Sequence, residues 1–153
     1  LNAERDYKPM PVYSQSKLAC LIFAIELARR SERNGWGVSS IAVHPGVSRT
    51  DLLLNASGKF SLQRIVRTLL PFMFQPAAQG ALPTLYAATA PDAKPGAYYG
   101  PDKMSETRGH PAEAKIPAAA LDGAAAAHLW QRAETLTGIS FPGAMIEQDS
   151  IPL

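Results

Sequence analysis

The chain has 153 residues, 46% of them hydrophobic and 18% charged, with a formal net charge of +2, the balance of a globular chain rather than a disordered or fibrous one. Its 15 Lys and Arg residues are scattered, which argues against nucleic-acid binding as its main business. The single cysteine, Cys20, rules out an internal disulfide framework, and nothing near it has zinc-ligand spacing, so no metal site is expected.

Cys20 lies in an apolar helical run and is expected to be buried and inert. The chain opens Leu1-Asn2-Ala3-Glu4 without a charged-then-apolar leader, which points to the cytoplasm. The longest apolar stretch, Leu18 to Ala28, is interrupted by Glu26 and is too short to cross a bilayer, so no membrane span is expected.

Residues 1–12 are polar, carry Pro9 and Pro11, and read as an extended lead-in. From Val12 to about Arg33 the pattern is helical. Leu18, Leu21, Ile22, Ile25 and Ala28 recur at three- and four-residue spacing, with Gln15, Glu26, Arg29 and Arg30 mostly elsewhere. Phe23 and Leu27 fall off that stripe and predict burial on more than one side. Asn34-Gly35 supplies the stop. Val38 to Val43 is short and rich in β-branched residues, and reads as a strand before His44-Pro45-Gly46.

Further on, a helix is predicted over Leu62–Leu70, ended by Pro71. Another is predicted over about Ala77–Ala90, then a strand over Gly96–Gly100. Residues 101–120 are rich in Pro, Gly and Ala and read as a surface connection. A last helix is predicted from Ala124 to Thr137, stopped by Gly138. Helices alternating with strands are the grammar of an α/β fold with a parallel sheet. Two strands are too few for such a sheet and leave an unpaired edge, so further strands are expected upstream.

Tyr13 and Lys17 stand four residues apart at the start of the first long helix, on one helical face with heads able to reach one site. A free phenol titrates near 10. An ammonium about 4 Å from a phenol favours the phenolate by up to ~4 kcal/mol at an effective dielectric near 20. Such a pair can work as a general acid–base, protonating a carbonyl oxygen while hydride arrives at carbon, or running the reverse. Taken alone, the spacing is weak and more often describes a half-exposed tyrosine above a solvated lysine.

The fuller run is Tyr13-Ser14-Gln15-Ser16-Lys17-Leu18-Ala19, then an amphipathic helix, a glycine, a strand, Pro45-Gly46 and Thr50. It resembles the short-chain dehydrogenase/reductase family. The likeness continues through Gly80-Ala81, Tyr86-Ala87-Ala88 and Gly96-Ala97-Tyr98-Tyr99. The segment Ala42 to Leu52 and the run Leu129-Trp130 to Gly138 are similar to its retinol-dehydrogenase-like branch, the latter to bacterial members.

The resemblance implies that 1–153 is the C-terminal half of a single Rossmann-like domain, a doubly wound parallel sheet binding NAD or NADP. It implies an oxidoreductase acting on an alcohol or carbonyl substrate, with homo-oligomerisation left open. Tyr13 would be the acid–base residue, and Lys17 would assist it and hydrogen-bond the nicotinamide ribose. The backbone of Pro45, Gly46, Val47 and Ser48, with the Thr50 hydroxyl, would hold the carboxamide. Ser48 departs from the pattern, standing where a branched aliphatic residue is usual, which backbone contact would tolerate.

The family's glycine-rich phosphate loop, its Asn-Ala-Gly strand end, its ribose-selecting residue and its catalytic serine are not found in the 153 residues. They are expected in an N-terminal half that would act as partner to this chain. The rival reading is a non-catalytic fragment or interaction module that keeps half of the fold.

Ser14 and Ser16 read as helix N-terminal hydroxyls, His44 as a strand-end residue, His110 and His128 as surface residues, and Asp51 as a helix-start carboxylate. The apolar run from Phe60 to Phe74 reads either as core or, within residues 55–76, as a cover over a lipophilic substrate.

Overall fold

The computed structural model describes residues 7–47 and 75–141. Ser48, Thr50, Asp51, the predicted Leu62–Leu70 helix and most of the expected substrate cover lie outside them. The chain divides into two compact units, Leu1–Ser40 with Ile116–Leu153, and Ile41–Lys115.

The first unit is built on α1, Pro9–Asn34, whose first turn contains Pro9 and Pro11, residues expected in an extended lead-in. A first helical turn has no use for its N–H groups, so proline costs nothing there and its fixed φ suits the helix. At the other end Gly35 turns left-handed, with φ 66°. Its N–H and that of Trp36 donate to the carbonyls of Glu32 and Ser31, the paired closure of a Schellman motif.

The buried face of α1 holds Leu21, Ile22 and Ala28, together with Glu26 and Ser31. Glu26 is 2% exposed, against the expectation that it lies off the stripe. Arg30 Nε reaches one carboxylate oxygen at 2.6 Å and Arg29 Nε the other at 3.0 Å, which compensates a charge that would be costly to bury alone. Cys20 is exposed, a correction to its expected burial. It stands about 100° round the helix from Leu21, outside the buried stripe.

After a 3₁₀ turn at Ala118–Leu121 comes α2, Gly123–Thr137. Asp122 caps it, one carboxylate oxygen accepting from the N–H groups of Ala124 and Ala125. Gly138 ends it in a left-handed conformation. Trp130 on α2 is 3% exposed. Phe23 stacks on it at 5.2 Å and the Arg30 guanidinium lies 4.4 Å from its ring centroid. That placement explains why Phe23 sits off the main stripe of α1. A small apolar cleft of about 190 Å³ is bordered by Phe23, Trp130, Ile139 and Phe141.

The second unit is a mixed sheet with two short helices. Strand β1 is Ala42–Val43, shorter than the predicted strand from Val38. The Val38 N–H donates to the Ser31 hydroxyl, so α1 takes a backbone donor that a longer ladder would need, and the Ser40 hydroxyl donates to the Ala24 carbonyl.

Strand β2, Tyr98–Lys103, runs parallel to β1, pairing Tyr98 with Ala42 and Tyr99 with Val43. Strand β3, Arg108–Glu113, pairs antiparallel with β2 inside the stretch expected to be a surface connection. The sheet order is β1-β2-β3, so the α/β class holds while the sheet is mixed rather than purely parallel. Among the described residues β1 is paired on one side only.

Helices α3, Ala77–Gly80, and α4, Leu82–Thr89, replace the single helix expected over 77–90. Pro83 lacks the N–H that would continue the ladder through Ala81. Helix α4 packs on the sheet, where Tyr86 meets Tyr99 edge-on at 5.0 Å. Among the described residues no helix is long and apolar enough to cross a membrane.

Candidate active site

In the first unit, Tyr13 and Lys17 occupy the N-terminal third of α1, one turn apart on its exposed side. Tyr13 is 46% exposed, and Lys17 Nζ lies over its ring, 5.5 Å from the centroid. Neither polar head has a hydrogen-bond partner among the described residues. The Ser16 hydroxyl donates to the Tyr13 carbonyl at 2.7 Å, so it is engaged within the helix rather than at its N-terminal donors.

In the second unit, β1 delivers the chain into His44-Pro45-Gly46-Val47. The His44 N–H donates to the Tyr99 carbonyl at 2.9 Å, which extends the ladder by one bond and fixes where the turn begins. Gly46 has φ 63°, and a Cβ there would sit 2.8 Å from Pro101 Cγ and closer still to the Thr107 carbonyl oxygen. Both the conformation and the close approach require glycine.

The Gly46 N–H points to His44 Nδ1 at 3.3 Å, and the Val47 N–H donates to the Thr107 carbonyl at 2.7 Å. Of the two N–H donors of the Pro45–Val47 stretch, that of Val47 is firmly bonded inside the protein and that of Gly46 faces the His44 ring at the long end of hydrogen-bond range.

His44 sits where the sequence reading put it, at the strand end, with its ring against Gly100. A Cβ on Gly100 would overlap that ring. Its Nε2 is buried without a hydrogen-bond partner, although a Glu106 carboxylate oxygen stands 3.4 Å away. That separation is ion-pair range and too long for a good hydrogen bond. Burial pushes the His44 pKa below its ordinary 6.5, and Glu106 opposes this less strongly. Glu106 lies in a turn where Met104, Ser105 and Glu106 all have positive φ, from 49° to 63°, an arrangement that is costly for non-glycine residues. His110 and His128 are exposed, and among the described residues no cluster of His, Cys, Asp or Glu could hold a metal ion.

One residue of this region has no counterpart in the sequence reading. Gln75, completely buried, joins the turn to β3. Its Nε2 donates to the Pro45 carbonyl at 2.6 Å and its Oε1 accepts the Gly109 N–H at 3.1 Å. A glutamine preceding Pro76-Ala77 looks in sequence like an ordinary lead into a helix, and no local signal marks it.

Comparison with known proteins places these features in a family. The chain is 33% identical over 141 residues to retinol dehydrogenase 14 of Mus musculus, an alignment covering 91% of this chain and 39% of that protein. It is 33% identical over 139 residues to dehydrogenase/reductase SDR family member 13 of Bos taurus, covering 90% of this chain and 33% of the relative. The chain belongs to the short-chain dehydrogenase/reductase family.

A crystal structure of an uncharacterised protein from Mycobacterium paratuberculosis superposes on this short-chain dehydrogenase/reductase chain with a TM-score of 0.67 at 34% identity. It covers 93% of this chain and 44% of the other. No family model matches the chain. The chain spans about 39% of the length of its retinol dehydrogenase relative.

Proposed function

We propose that this chain is the C-terminal half of a nicotinamide-dependent oxidoreductase that interconverts an alcohol and a carbonyl compound. The observation that carries the reading is the Tyr13–Lys17 pair. Its phenol is 46% exposed, its ammonium sits over the same ring, and both heads are without partners among the described residues. Both heads stand on one exposed helical face, where a proton donor and a cation are open to the same ligand.

That donor set fits a nicotinamide cofactor, NAD or NADP. Lys17 can donate to a ribose hydroxyl and Tyr13 can face the reacting oxygen. The nicotinamide, when bound, supplies or accepts the hydride. Tyr13 donates its phenolic proton to the carbonyl oxygen as that oxygen gains charge, or takes the proton from the alcohol in the reverse direction. Lys17 stabilises the phenolate that proton donation leaves behind.

The N–H donors of Gly46 and Val47 face partners inside the protein, so the carboxamide would be met by the residues that follow, Ser48 and Thr50. The phosphate loop, the ribose-selecting residue and the serine would come from an N-terminal half.

The substrate is read as lipophilic. The run Phe60 to Phe74 is dense in apolar residues, and a similar protein is named for retinol, a long apolar alcohol. The test is Tyr13→Phe in the intact enzyme, which keeps the ring and removes the proton. Turnover should fall by about 10²–10⁴, the usual worth of a general acid–base, with cofactor affinity retained. Retained turnover would assign the chemistry to another residue.

A further inference from the structure

We propose that Gln75 is a positioning residue that fixes the Pro45–Gly46–Val47 turn from behind and so sets where the nicotinamide carboxamide is held. This rests on the reading that the segment following the turn meets the carboxamide.

Gln75 is the point at which two distant stretches are tied. Its backbone N–H donates to the Val47 carbonyl at 3.1 Å. Its side-chain amide donates to the Pro45 carbonyl at 2.6 Å and accepts from the Gly109 N–H at 3.1 Å. The orientation of the amide is determined by these partners, because only the oxygen can face an N–H and only the nitrogen a carbonyl. Gln79 Nε2 reaches the Gly109 carbonyl at 3.4 Å, and the Thr107 carbonyl accepts the Val47 N–H at 2.7 Å. The turn is thereby gripped at Pro45 and Val47, and Gly109 on β3 is the fixed end of the clamp.

The need for glutamine follows from these distances. The site requires a donor and an acceptor on one planar group, fully out of water, where an unmade bond keeps its whole desolvation cost. Asparagine is one methylene short of spanning both partners, and methionine satisfies neither. A carboxylic acid can imitate the amide while protonated, donating O–H to Pro45 and accepting from Gly109, but its ionised form sets a negative oxygen against the Pro45 carbonyl. Burial raises a carboxyl pKa, so a glutamate here would keep the clamp at acid pH and lose it as pH rises.

The experiment uses the intact enzyme with NADH or NADPH, whichever it turns over, and with ADP-ribose or its 2′-phosphate, which lack the nicotinamide ring. In Gln75→Glu at acid pH both ligands should bind as in the wild type. Above the pKa of the new carboxyl, nicotinamide cofactor affinity should fall about tenfold, as expected for losing one buried hydrogen bond, while the ring-less ligand changes less than about twofold. Gln75→Asn should show the same selective loss at every pH.

Thr50→Ala, measured alongside, separates the two ideas. If Thr50→Ala discriminates between the ligands and the Gln75 variants do not, the clamp is wrong and the reading of the turn stands. If neither discriminates, the reading of the turn is wrong.

In the wild type without substrate, adding NADH or NADPH should slow amide exchange at Val47 and Gly109 more than adding the ring-less ligand. Equal slowing by both ligands, or failure of the Gln75 variants to fold together with such equal slowing, overturns the proposal and makes Gln75 a core residue only.

Discussion

Replacing Gly46 by alanine tests the turn at its most constrained point, and the structure supplies its own control. Gly46 and Gly35 have nearly the same φ, 63° and 66°, so alanine meets a left-handed penalty of about 1–2 kcal/mol at either position. Their surroundings differ completely. A Cβ on Gly35 has nothing within 4 Å, whereas one on Gly46 meets Pro101 Cγ at 2.8 Å and the Thr107 carbonyl still more closely.

Neither obstacle is the end of a flexible chain, and Thr107 is tied to Val47 by a 2.7 Å hydrogen bond. Overpacking a close site costs typically about 1–3 kcal/mol more. Gly35→Ala should therefore lower stability by about 1–2 kcal/mol and Gly46→Ala by about 2–5 kcal/mol. Denaturant midpoints of the two variants in the intact enzyme, with an unchanged m-value, measure the difference. Gly46→Ala should also weaken NADH or NADPH binding, which Gly35→Ala should leave alone. Equal destabilisation by the two substitutions would refute the close packing on which the turn's geometry rests.

Lys17→Met should weaken cofactor binding and slow turnover together, because Lys17 is assigned both to the ribose and to the phenolate; isothermal titration and steady-state kinetics separate the two effects. His44, whose pKa burial holds below the ordinary 6.5, should bind fewer protons in the folded than in the unfolded state as pH falls below that value. Stability is then lost on acidification, and His44→Gln should flatten the dependence of the denaturation midpoint between pH 7 and the folded-state pKa; an unchanged slope would assign it to other groups. Phe72→Ser with Phe74→Ser should lower kcat/KM on long-chain carbonyls more than on short ones. Equal losses with a lowered Tm would make these residues core and withdraw the lipophilic substrate.

Much of the first unit was legible because its signals are local. Gly138 ends α2 and Asn34-Gly35 ends α1, each through a cap that needs only its neighbours. The start of α1 is not legible, because Pro9 and Pro11 read as lead-in residues although a first turn accepts them.

What was missed depends on distant pairing. Arg108–Glu113 contains glycine, proline and charge, a poor strand by propensity, yet it pairs with β2, Pro111 facing Pro101. Glu26 reads as lying off the apolar stripe, yet Arg29 and Arg30 compensate its charge and it is buried. The Tyr13–Lys17 pair was visible from spacing, while Gln75 was not, since its partners lie 30 and 34 residues away.

Hydride transfer with Tyr13 handling the proton is tested most directly by supplying the intact enzyme with NAD(P)H carrying deuterium at both positions of the transferring carbon, together with a long-chain aldehyde. Mass spectrometry then follows the label into the alcohol, for wild type and for Tyr13→Phe. The wild type should place one deuterium on the carbinol carbon. Label transfer should be slower by about 10²–10⁴ with Tyr13→Phe, at cofactor affinity unchanged. Label transfer by Tyr13→Phe at the wild-type rate, or an alcohol formed without deuterium, would overturn the assignment of hydride transfer with Tyr13 as the proton donor.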